Sequence, residues 1–192
     1  MPVLAGSLLG CAIMQSTDGS SLYNPTQRVF LVRHAERFND SREDPPLTAD
    51  GKERAKALAD TLRDTGITAI ITSQWIRAKD TAQPLADLLK ISPQVIPTAD
   101  PPHGYFQATA NALRRLKDDT VLVVGHITIP NIIAELGGPQ LPTICESVFS
   151  DLFLLVPALG WDGLTRLRYG AVEDISRRCR NLPDLRSDQN YQ

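Results

Sequence analysis

Val29-Phe30-Leu31-Val32-Arg33-His34 and Val121-Leu122-Val123-Val124-Gly125-His126 are two short apolar runs, each ending on a histidine. A third run, from Ile67 to Ser73, leads into a helical pattern that carries Arg77 in its first turn. Near-continuous apolar runs separated by helix-length segments read as parallel strands covered on both faces. Both histidines and the arginine then fall at the strands' carboxyl ends, the edge at which open α/β sheets bind ligands. Two imidazoles and two guanidiniums at one edge suit a tetrahedral phosphate, because the planar fork of an arginine matches its oxygens.

Working outward, the first strand (28–33) is followed by a charged loop, 38–46, that ends in two prolines. Thr48 is a plausible N-cap, and Ala55, Leu58, Ala59 and Leu62 line one helical face up to Gly66. After the strand at 67–72, a helix over about 75–89 turns Ala78, Ala82, Leu85, Ala86 and Leu89 inward. A short strand near 94–97 and the loop Asp100-Pro101-Pro102-His103-Gly104 precede a helix reaching about Leu116. The strand at 120–125 delivers His126, and a helix from Ile129 or Pro130 ends at Gly137-Gly138. The runs 150–156 and 164–171, joined by Gly-Trp-Asp-Gly, read as a hairpin at one side of the sheet. The expected fold is a three-layer α/β/α sandwich with a mostly parallel central sheet.

At 192 residues and 42% hydrophobic content, the chain suits one domain with a sizeable core. Its 20 basic and 22 acidic residues leave a net charge of −2, so no global field draws it to nucleic acid or an anionic membrane. No apolar stretch reaches the roughly 18 residues needed to span a bilayer. The expected organisation is a leader and flexible linker over 1–26, the domain over 27–175 and a polar tail over 176–192.

Within the leader, Leu8-Leu9-Gly10-Cys11 resembles a bacterial lipobox, in which the cysteine becomes the lipidated first residue. The segment before it is ten residues long and lacks Lys or Arg. Two readings stand: a membrane-anchored lipoprotein of the periplasm or cell exterior, with a lipid anchor at Cys11, or a cytoplasmic protein with a disordered leader. Cys145 and Cys179 form an even pair that an oxidising compartment could bridge. The favoured reading is otherwise: Cys145 a small buried residue and Cys179 a tail thiol, since spacing does not show the proximity a bridge needs.

Leu31-Val32-Arg33-His34-Ala35-Glu36 resembles the Arg-His-Gly signature of the histidine phosphatase superfamily, in its phosphoglycerate mutase-like branch. Leu47-Thr48 with Gly51 and Ala55, Thr72-Ser73 with Arg77-Ala78 and Thr81-Ala82, and Val124-Gly125-His126 with Pro130 are similar to further segments of that branch, in its order. Each match alone is weak, whereas the ordered set is specific. The resemblance implies that His34 is the nucleophile that takes the phosphoryl group, with Arg33, Arg77 and His126 forming the phosphate pocket. Nearby guanidiniums disfavour protonation of His34, which keeps a nucleophilic ring available. They also meet charge on the equatorial oxygens of an in-line transfer without a metal or other cofactor. Arg37 adds a contact if the loop coils one helical turn after Arg33.

The chain departs from the branch in three places. Ala35 stands where the signature has Gly, and Ile127-Thr128-Ile129 replaces a polar Ser-Asn pair. The loop 98–104 lacks the glutamate that serves the branch as general acid, which leaves Asp100 and His103, then Glu36, as proton donors. On the substrate side, Arg37, Glu36, His103 and Ile127 are the candidate contacts. Trp75 and Trp161 read as packing and turn residues rather than stacking platforms. The expected activity is a metal-independent phosphatase acting on a phosphorylated small molecule or phosphoprotein: a phosphomonoester, phosphohistidine or phosphoanhydride. The compact size resembles bacterial phosphohistidine phosphatases. The competing class is a non-catalytic phosphate-binding or interaction domain.

Overall fold

A computed structural model of the chain describes residues 26–98, 103–116 and 119–173. Cys11, Asp100 and Cys179 lie outside the described residues, as do most of the expected leader and the expected tail. Six strands form one sheet in the order β3-β2-β4-β1-β5-β6. In chain order the elements are β1 (Arg28–Arg33), α1 (Ala49–Leu62), β2 (Ile67–Thr72), α2 (Ile76–Leu89), β3 (Gln94–Val95), α3 (His103–Arg115), β4 (Thr120–Gly125), α4 (Ile129–Glu135), β5 (Asp151–Leu155) and β6 (Leu164–Arg168). Strands β3, β2, β4 and β1 run parallel, and β5 and β6 add an antiparallel hairpin beside β1.

Alternation along β1 assigns the layers. Val29 and Leu31 join a core with residues of α3 and α4, whereas Phe30 and Val32 join one with residues of α1 and α2. Two helices therefore cover each face, the three-layer arrangement that apolar strands with no solvent face require. On this framework β1 and β4 pair in register, Arg33 opposite Gly125, so His34 and His126 leave the sheet side by side.

The start of α1 is fixed by sequence and by a close approach. The Thr48 hydroxyl accepts from the Gly51 N–H at 3.1 Å, as an N-cap should. Gly51 lies so near the backbone of Glu36 that a Cβ would sit 2.1 Å from its carbonyl oxygen, which only glycine permits. This contact presses the helix onto the loop that follows His34.

The connection between β5 and β6 differs from the tight turn expected. It is a 3-10 segment, Pro157–Gly163, closed where the Val156 N–H donates to the Gly163 carbonyl at 2.9 Å. Trp161 stands exposed on it. Helix α4 is also shorter than its apolar pattern, because Gly137 adopts a φ of 83° and ends it.

Candidate active site

His34 extends the β1–β4 ladder one step, its N–H donating to the Gly125 carbonyl at 2.9 Å. The side chain is 1% exposed, and its Nδ1 lies 2.7 Å from the carbonyl of Ala35. A carbonyl only accepts, so Nδ1 carries the proton and Nε2 keeps the lone pair. Nε2 is buried and without a partner. Burial first, opposed by the Ala35 bond and reinforced by Arg33, His126 and Arg77, holds the His34 pKa down at about 2. The ring is thus neutral for a larger reason than the guanidiniums alone.

Thr81, on α2, locks this geometry. Its hydroxyl accepts from the Ala35 N–H at 2.9 Å and donates to the Arg77 carbonyl at 2.7 Å. The ring of His126 stands 5.0 Å from that of His34, centroid to centroid, and burial followed by Arg33, Arg77 and Arg37 lowers its pKa to about 4. Both rings are accordingly neutral near pH 7 in the free protein.

Arg77 enters from the first turn of α2, as expected. Asp44, from the loop after β1, accepts from the Ile76 N–H at 3.1 and 3.0 Å and so covers the open start of the helix. The same carboxylate lies 3.4 Å from the Arg77 guanidinium, which sits 4.8 Å from the centre of the Trp75 ring. Trp75 is therefore a platform for a cation, contrary to the sequence reading, and its Nε1 donates to Thr98 at 3.2 Å. His34, Ser73, Trp75, Arg77, Tyr105 and His126 border one cavity of about 210 Å³.

Arg33 is anchored more firmly than a free phosphate ligand would be. Its Nη1 donates to the carbonyls of Glu146 and, at 3.2 Å, Cys145, and its guanidinium lies 4.4 Å from the Phe149 ring centre. Nε is buried and unpartnered. Burial lowers its pKa to about 10, opposed by Glu146 and Glu36 and assisted by Arg37 and Arg77, so it remains cationic at neutral pH. With Glu36, Arg37, Glu146 and Phe149 it borders a second cavity of about 560 Å³. Cys145, on the loop that holds Arg33, is disulfide-bonded, which corrects its reading as a small buried thiol.

Other candidates take different positions. Glu36 gives both carboxylate oxygens to Arg54, at 2.9 Å to Nε and 2.7 Å to Nη2, and is no free acid. Arg54 is 5% exposed; burial would lower its pKa, but Glu36 and Glu173 together raise it. His103 opens α3 with an exposed side chain 3.7 Å from Glu135 and borders neither cavity. Ile127 likewise borders neither. Arg37 does border the larger cavity, although the chain there is not coiled: it pairs with Leu47 in an antiparallel bridge. Among the described residues, no group of three or more His, Cys, Asp or Glu is placed to hold a metal.

Thr81, Tyr105, Arg54 and Phe149 were not assigned roles from sequence. Thr81 carried a signal, four residues after Arg77 in the matched segment. Tyr105 reads as an ordinary buried face residue of α3, and Arg54 as a polar residue of α1.

Comparison with known proteins places these residues. The family model for the histidine phosphatase superfamily (branch 1) matches residues 29–99. A Yersinia enterocolitica protein named "probable phosphoglycerate mutase GpmB" is 47% identical over 66 residues, 31% of each chain. A PE-PGRS family protein, PE_PGRS11, of Mycobacterium tuberculosis is 46% identical over 65 residues, 33% of this chain and 11% of its own. The match thus spans about a third or less of these curated relatives. Among solved structures, the protein histidine phosphatase SixA complexed with tungstate superposes with a TM-score of 0.58 at 24% identity, over 75% of this chain and 96% of its own. The α-ribazole phosphatase of Shigella flexneri superposes with a TM-score of 0.54 at 17% identity, over 75% and 96%. The segment that matches the histidine phosphatase superfamily (branch 1) carries His34 and Arg77, and the fold of these phosphatase structures is shared along most of the chain.

Proposed function

We propose that this protein is a metal-independent phosphatase that transfers a phosphoryl group to His34 and releases it to water. One observation carries the reading: the Nε2 of a neutral His34 has no hydrogen-bond partner, and His34 borders one cavity with Arg77 and His126. In-line attack by Nε2 on phosphorus places negative charge on the equatorial oxygens, where Arg77 and the charge of Arg33 stabilise it. A neutral His126 donates one hydrogen bond to the same oxygens. Water then attacks the phosphohistidine, and the P–N bond electrons return to Nε2.

A non-catalytic phosphate-binding domain would need the arginines but not a histidine held in one tautomer with its lone pair free. The substrate is a phosphorylated small molecule or phosphoprotein. The fold neighbours, named as a protein histidine phosphatase and an α-ribazole phosphatase, bracket those two classes.

The test is hydrolysis of p-nitrophenyl phosphate with EDTA present. The wild-type protein is expected to release nitrophenolate, to be inhibited by vanadate, and to lose turnover in His34→Ala. Full activity in that variant overturns the proposal.

A further inference from the structure

The proposed reaction lacks an acid for its leaving group. Of the donors named from sequence, Glu36 is bound by Arg54, His103 lies against Glu135 away from the cavity, and Asp100 is outside the described residues. Asp44 is committed to Arg77 and to the first N–H of α2. What the cavity itself presents is hydroxyls. That of Thr98 is held by Gln74 and Trp75.

Tyr105, from the first turn of α3, is different. It is 2% exposed and borders the cavity with His34; its hydroxyl lies near that of Thr109, one turn further along α3, but makes no hydrogen bond of good geometry. The nucleophilic Nε2 of His34 and the Thr128 hydroxyl border the same cavity in the same condition. Buried polar atoms are nearly always paired, so unpaired ones gathered around one space suit that space to a polar ligand. A phenyl ring would fill the position of Tyr105 with no such orphan. Among the hydroxyls bordering the cavity a phenol has the lowest ordinary pKa, and burial raises that of Tyr105, which keeps it in the protonated form a donor needs.

The geometry points to Tyr105 as the proton donor to the leaving oxygen, a role that rests on the phosphatase reading and extends it to phosphomonoesters of alcohols. As Nε2 bonds to phosphorus, the bond from phosphorus to the ester oxygen breaks, and that oxygen keeps the electron pair and takes the Tyr105 proton. An alcohol and a tyrosinate result. In the second half, water attacks phosphorus, the P–N bond breaks toward His34, and the tyrosinate accepts the proton of the water. The sum is ester plus water giving alcohol plus phosphate. An aryl or anhydride leaving group draws little on the donor, whereas an alkoxide depends on it.

The experiment measures kcat/KM for a series of phosphomonoesters from p-nitrophenyl phosphate to simple alkyl phosphates, with wild-type protein and Tyr105→Phe. Wild type is expected to vary only shallowly with leaving-group pKa. The variant is expected to lose about 10²-fold or more with alkyl phosphates, the loss shrinking steadily toward the aryl end. Thermal melting and vanadate affinity check that the variant is folded with its pocket intact. An equal loss across the series, or none, overturns the proposal and leaves Tyr105 a wall of the cavity. A steep wild-type dependence overturns it as well, whether or not the variant folds. Wild-type protein that hydrolyses no ester and forms no phosphoenzyme removes the phosphatase reading itself, an outcome separate from failure of Tyr105 alone.

Discussion

The two cavities at the carboxyl edge of the sheet are built on opposite principles. The smaller holds His34, His126 and Arg77 among aromatic and hydroxyl groups, and its polar atoms are short of partners. The larger is ringed by charge, Arg33, Arg37, Glu36, Glu146 and Glu173; Glu36 gives both its oxygens to Arg54, and Arg33 spends its Nη1 on backbone carbonyls, with its buried Nε left unpartnered. Unspent polar groups indicate where chemistry is done, and spent ones indicate what holds the frame. Arg33 and Arg77 illustrate the difference. The sequence resemblance implies a phosphate ligand at both, yet Arg33 clamps the 145–148 loop while Arg77 rests on Trp75 with a single carboxylate beside it.

That contrast can be broken first at Arg77. Arg77→Ala removes a guanidinium aimed at developing charge, and kcat/KM for p-nitrophenyl phosphate is expected to fall by about 10²–10³-fold with the melting temperature nearly kept. A loss confined to stability would place Arg77 with the frame. Glu36→Gln probes the other side. It leaves the buried Arg54 with Glu173 as its one remaining carboxylate, and unfolding free energy is expected to drop by about 2 kcal/mol, less than for a fully isolated buried charge. The dependence of rate on leaving-group pKa should match wild type. A changed dependence would return Glu36 to the role of acid.

Thr81→Val sharpens the boundary, because Thr81 belongs to the frame but holds the backbone of Ala35, the residue after His34. Losing the acceptor for the Ala35 N–H leaves a buried donor unpaired, a cost of about 1–2 kcal/mol, and turnover should fall while substrate affinity changes little. Equal turnover in denaturation-resistant Thr81→Val would show that His34 is positioned by packing alone.

The smallest effect is in pH. Both imidazoles have folded-state values, about 2 for His34 and about 4 for His126, below the ordinary 6.5. On acidification the unfolded chain takes up protons that the folded one refuses. Their contribution to stability is therefore complete above about 6.5 and declines as pH falls through the window toward about 4 for His126 and lower for His34. Their ring resonances in NMR should stay in the neutral position at pH 6; a titration centred near 6.5 would contradict the burial described.

Much of the sheet was legible because its strands are uninterrupted apolar runs. Residues 28–33, 67–72 and 120–125 appear as β1, β2 and β4 with those bounds, and Thr48 caps α1 as its position implied. His34, Arg77 and His126 followed from the strand ends. What did not follow depends on contacts between distant parts of the chain. The carbonyls that hold Arg33 lie more than a hundred residues away, the Glu36–Arg54 pair joins a loop to a helix face, and Tyr105 reaches the site only because α3 packs where it does. Such partners have no spacing rule to announce them.

The central claim is that His34 carries the phosphoryl group. Mass spectrometry of the protein, acid-labile bonds preserved, after quenching during turnover of p-nitrophenyl phosphate in EDTA tests it most directly. Phosphate on His34, lost on mild acid treatment, is the result this account predicts. Turnover with phosphate on another residue, or with no phosphoenzyme under conditions that trap it, would contradict it.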